Sequence, residues 1–127
     1  MKYVGLLISI VIIVHIGTDG VCSTDVDPQV RDQLDILLTA VQNGDYNAFI
    51  ANGTAMFKES ITQQIFKVVS VQMNWRLEQG YEAIYLDTLN QQGCLVYLWK
   101  LVFTDGGDDV LAKLVIKDDK VAGFWLQ

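Results

Sequence analysis

The sequence is poor in the residues that most familiar sites depend on. It holds one histidine, two cysteines and one proline, and nine lysines and arginines stand against fifteen aspartates and glutamates. The lone histidine, His15, falls in an N-terminal apolar run that reads as a removable leader, as argued below. Without it there is no Ser-His-Asp or Cys-His machinery, no HExxH zinc site and no histidine proton shuttle. Two cysteines build neither a structural zinc site nor a disulfide-dense scaffold. A net charge of −6 argues against a nucleic-acid partner, because phosphate binding needs clustered Lys and Arg. Phosphate-cradling glycine loops are also missing: Gly106-Gly107 is the one dense glycine pair, and it lacks the following lysine of a P-loop. No cofactor is expected, and any catalysis falls to carboxylates, Tyr, Lys or Arg.

What the chain does have begins with an address. Lys2 supplies a minimal positive start, and Tyr3 to Ile16 is a mostly apolar run. The run is short of the roughly 20 residues of a spanning helix and fits the core of a secretory signal. Val21-Cys22-Ser23 offers a small-residue cleavage site, with the cut before Thr24. Val21 stands where a lipoprotein signal wants Gly or Ala. The expected organisation is therefore a signal peptide at 1–23 and a single domain at 24–127, secreted or periplasmic, with no stable membrane span. The cut domain keeps a net charge of −6, no histidine, and Cys94 alone.

The domain starts with helical periodicity. Asp27 then Pro28 reads as N-cap and first helical residue. Val30, Leu34, Leu37, Leu38 and Val41 form one apolar stripe, and Gly44 closes the helix over 28–43. Asp45 caps a short helix over 46–52. The stretch 54–61 stays open between a strand and a helical turn. Thr62 caps a further helix over 63–79, with Ile65, Phe66, Val69, Met73 and Leu77 facing the core.

From Tyr81 the period becomes two. Four strands are expected, over 81–89, 94–103, 109–117 and 120–126, joined by short turns into an antiparallel meander. Three N-terminal helices packed on one face of a curved four-stranded antiparallel meander make an α+β domain. Taking Gly106-Gly107 as a two-residue turn, one face carries Ile84, Leu86, Tyr97, Trp99, Leu101, Leu114, Val121 and Trp125, with Glu82 and Thr88 near the ends of its first strand. That face takes the helices. The other carries Tyr85, Leu98, Lys100, Lys113 and Phe124, a mixture suited to a self-complementary interface, so a homodimer through the sheet is expected. Lys100 and Lys113 fall opposite each other in this register, an unfavourable like-charge pair.

The helix ending in Gly44-Asp45-Tyr46-Asn47-Ala48-Phe49, the helix before Gly80-Tyr81, and the strands Val96–Leu101 and Val121–Trp125 resemble the nuclear-transport-factor-two-like superfamily. That cone-like fold is shared with ketosteroid isomerases and small polyketide cyclases. The resemblance covers nearly all of 24–127 and implies a curved sheet wrapped around helices, a pocket inside the cone, and frequent dimers. Its enzymes place Asp, Tyr, His or Arg in the pocket; here the expected inner face offers Glu82, Tyr97 and Thr88. A second, partial likeness is to cystatins, whose QxVxG loop is matched at Val121 and Gly123.

Tyr97, Trp99 and Trp125, with Glu82 at the mouth, are the candidates for a small apolar ligand pocket. The leading expectation is a non-catalytic domain that binds such a ligand or acts as an interaction module. The alternatives are an isomerase- or dehydratase-like enzyme using Glu82 and Tyr97, and a structural homodimer with a filled core. Asp105, Asp108 and Asp109 read as turn residues, their spacing matching no EF-hand. Asn52-Gly53-Thr54 is a glycosylation sequon, meaningful in a eukaryotic secretory pathway.

Overall fold

The computed structural model describes residues 26–127; the signal segment read at 1–23 lies outside them. Helix α1 spans Pro28–Asn43, α2 Tyr46–Ile50, α3 Ala55–Ser60 and α4 Gln63–Gln79. Strands β1 (Tyr81–Gln91), β2 (Cys94–Phe103), β3 (Val110–Lys117) and β4 (Lys120–Leu126) form one antiparallel sheet in the order β1-β2-β3-β4. The fold is thus α+β, helices first and a meander after. Among the described residues it has four helices rather than three, because the open stretch 54–61 folds as α3, capped by the Thr54 side chain on the Phe57 amide.

Local chemistry sets the helix ends as the sequence indicates. The Asp27 carboxylate accepts the Gln29 amide at 2.8 Å, and Pro28 follows at the first helical position. Gly44 ends α1 at φ 68°, a left-handed conformation that costs glycine nothing. Asp45 and Thr62 cap α2 and α4. The α1 stripe Val30, Leu34, Leu37, Leu38, Val41 is buried in full. Helix α4 departs from expectation at Ile65, which is half exposed, while Ser70 is buried and donates to the Val41 carbonyl at 2.7 Å. That bond ties α4 to the end of α1.

The helices cover the sheet face that carries Tyr97, Trp99, Leu101, Ala112 and Leu114. Trp99, Leu101 and Leu114 are wholly buried there. Each large apolar side chain removed from water contributes roughly 1.5–3 kcal/mol, so β2 and β3 are firmly oriented. The two outer strands differ from the sequence reading, each because of one inserted residue. In β1 the register slips between Tyr85 and Asp87, leaving Leu86 without a partner. Tyr81, Ala83 and Tyr85 therefore lie on the inner face opposite Phe103, Leu101 and Trp99, and Glu82 and Ile84 on the outer face. In β4 the slip between Val115 and Ile116 leaves Ala122 unpaired. Val121 and Phe124 then point inward, whereas Trp125 stands outside, paired with Lys113.

The β2–β3 connection also differs. It runs over residues 104–109 instead of turning at two glycines, and Lys100 pairs with Leu111 and Lys113 with Leu98. The shift by two residues keeps every side chain on its face and removes the direct Lys100–Lys113 clash. A distant residue holds this loop. Arg76 on α4 grips Asp105 through Nε at 2.7 Å, donates to the Asp108 carbonyl at 2.8 Å, and lies over the Phe103 ring at 4.0 Å. Asp105 also accepts the Gly107 amide at 2.7 Å.

The Arg76 guanidinium, with help from the Gly107 amide, holds the Asp105 carboxyl below the usual carboxylate range. A depressed carboxyl stabilises the fold above its unfolded value, about 3.9, and that contribution is lost as pH falls through the folded value. Asp105→Asn is therefore expected to destabilise the protein at neutral pH, with the difference from wild type shrinking below about pH 4. Urea unfolding across that range checks this; a difference that stays constant down to strong acid contradicts it.

Candidate functional site

The centre of the inner face, where the cone-fold resemblance places a pocket, is packed. Trp99 sits at its centre, stacked near Tyr97 with ring centroids 6.0 Å apart and meeting Tyr85 edge-on at 5.9 Å. Tyr85 and Thr88 join their hydroxyls beside it. Burial, with Asp27 and Tyr85 adding smaller effects, pushes the Tyr97 phenol up, so it remains protonated at neutral pH. Tyr97 also borders a 460 Å³ cleft between α1 and the sheet, rimmed by Asp27, Asp32 and Gln33.

The expected pocket residues therefore separate. Tyr97 and Trp99 lie on the inner face; Glu82, exposed, and Trp125, 48% exposed, lie on the outer one. Glu82 and Tyr97 do not converge, and no acid–base pair forms from them. The expected interface set separates as well. Leu98, Lys100 and Lys113 are on the outer face, but Tyr85 and Phe124 (8% exposed) face the core. In both sets the cause is the inserted residue in β1 or β4, which exchanges the faces of one end of its strand.

Two other places offer room. The first is an apolar cavity of about 230 Å³ at the free edge of β4. Buried Val41, Phe49, Phe66 and Phe124 form its floor. Half-exposed Ile65 and Trp125 flank its mouth, and Ile61, Val69 and Leu126 complete a lining drawn only from apolar residues. Three of the floor rings hold one another: Phe49 lies 4.8 Å from Phe66 and 6.0 Å from Phe124. Tyr46 fixes the α3 end of the cavity by donating its hydroxyl to the Ile61 carbonyl at 2.6 Å.

The second is an open groove of about 750 Å³ on the outer face. Its floor includes Val96, Val115 and Ala122, and Lys113, Lys117 and Lys120 line it together with Asp118. Trp125 borders both the cavity and the groove. Its indole lies back over Gly123, where an added Cβ would stand 2.5 Å from the ring, and the Lys113 ammonium sits 5.1 Å from the ring centroid. Sequence reasoning missed this basic groove because it counted lysines along the chain, where they are outnumbered. The signal was present in the outward alternation of Lys113, Val115 and Lys117.

The remaining candidate motifs serve the backbone. Asn52 of the sequon donates its side-chain amide to the Asp119 carbonyl at 3.2 Å and accepts the Val121 amide through its own carbonyl. The stretch resembling the cystatin loop is β4 itself. Among the described residues no group of three or more His, Cys, Asp or Glu is placed to hold a metal ion, and no helix is long and apolar enough to cross a membrane. No protein-family model, curated protein or solved structure matches the chain.

The separation of the tryptophans is directly measurable. Trp99→Ala is expected to cost about 3–5 kcal/mol of unfolding free energy, because it empties the filled centre. Trp125→Ala is expected to cost about 1 kcal/mol or less. Urea unfolding of the two variants checks this, and equal losses contradict the assignment of faces.

Proposed function

We propose that the exported domain is a non-catalytic binding module for a small apolar molecule, held in the cavity at the β4 edge. The observation that carries this reading is a lining without a polar residue around about 230 Å³. An apolar cavity of about 150 Å³ stays dry and takes up benzene, so the space here suits a single substituted ring or a short hydrocarbon chain. An enzyme built on Glu82 and Tyr97 lacks support, since they stand on opposite faces of the sheet. A ligand that binds only the folded chain raises its melting temperature by mass action. Toluene is expected to raise the Tm of the wild type, and Val69→Phe, which fills the cavity, to abolish the rise. A wild-type Tm unmoved by saturating toluene contradicts the reading.

The β1–β2 half of the outer face exposes Leu86 (49%) and Leu89 (38%) around Leu98, flanked by Glu82 and Asp87 and by Lys100. An apolar centre with both charge signs beside it is self-complementary under a twofold axis, because each copy sets its carboxylates against the other's lysine. We propose that two copies pair through this half. Light scattering is expected to report a dimer at micromolar concentration and a monomer for Leu86→Glu; a wild-type monomer contradicts the pairing.

A further inference from the structure

The outer groove contradicts the charge of the rest of the molecule. The chain is acidic overall, at −6, yet this groove gathers three lysines against the single carboxylate of Asp118. Among the described residues the only ion pair is Arg76–Asp105, so none of these lysines has a carboxylate within 4.0 Å. Two of them are set against each other: Lys117 and Lys120 are direct cross-strand partners. Like charges in that position are destabilising. The turn between them fixes the geometry, with Asp118 and Asp119 at φ 51° and 63°, both left-handed. Two lysines at facing strand positions, neither with a carboxylate within 4.0 Å, present a site complementary to an anion.

Beside the lysines lies apolar surface. Val96, Val115 and the Trp125 indole form a floor continuous with Lys113, whose ammonium rests over the indole. Gly123 makes that floor possible, since any side chain there would push the indole away. A free inorganic anion would leave the floor unused, and a neutral hydrocarbon would leave the lysines unpaired.

We propose that this groove binds an anionic amphiphile, a monocarboxylate with an apolar body. The carboxylate accepts hydrogen bonds from Lys117 and Lys120 at the β3–β4 turn, and the hydrocarbon lies along Val96, Val115 and Trp125. The site adjoins the β4-edge cavity through Trp125, and its lysines take no part in that cavity.

The test is calorimetric titration of the purified protein with decanoate and with decanol, below their aggregation limits, for the wild type, Lys117→Gln/Lys120→Gln and Gly123→Ala. The wild type is expected to bind decanoate about tenfold or more tightly than decanol. The double variant should lose that preference and leave decanol binding unchanged, while its Tm rises through relief of the like-charge pair. Gly123→Ala should weaken both ligands by displacing the indole. Equal binding of decanoate and decanol by the wild type overturns the proposal. So does an unchanged decanoate affinity in the double variant, or binding to phosphatidylglycerol vesicles without binding to soluble decanoate. Toluene uptake in the cavity is expected to be unchanged in Lys117→Gln/Lys120→Gln, which leaves Trp125 in place.

Discussion

A β-strand sends successive side chains to opposite faces, so one extra residue exchanges the faces for everything beyond it. Two such residues, Leu86 in β1 and Ala122 in β4, decide what this protein presents to water. The central strands carry no insertion, and their apolar alternation against the helices holds the sheet in place. Both insertions fall in the outer strands. Where they slip sets Tyr85 and Phe124 into the core and Glu82 and Trp125 outside it.

The consequence is a core centred on an aromatic ring. Trp99 fills the space between helices and sheet, supported by Tyr85 and Tyr97, and its size leaves little for a ligand. Room lies at the margins, between α1 and the sheet, at the edge of β4 and on the outer sheet face. Trp125 borders the last two. Because its ring lies back over Gly123, it builds an apolar platform beside lysines that would otherwise stand on a plain solvated face. Apolar contact and positive charge meet at this platform.

Much of the fold is legible in the sequence because its signals are local. Asp27-Pro28 and Gly44 bound α1, Thr62 opens α4, and Asp118-Asp119 turns β3 into β4. The faces of β2 and β3 follow from alternation alone. The bulges were not legible, since both faces of β1 carry similar apolar content: Ile84 and Leu86 weigh about as much as Ala83 and Tyr85. In β4, Phe124 and Trp125 are adjacent aromatics, and either could have been the buried one. The β2–β3 loop escaped for another reason, that its shape depends on Arg76, 29 residues before Asp105. The candidate site suffered from the same gap: a pocket inferred from faces fails wherever the faces exchange.

Phe124 lies inside and Trp125 outside, and through-space proton contacts in solution measure that arrangement most directly. Nuclear Overhauser contacts are expected from the Phe124 ring to Phe49, and from the Trp125 indole to the Lys113 side chain and Gly123. Contacts from the Trp125 indole to Phe49 and Phe66, with none from Phe124, would place the strand the other way round and contradict the account.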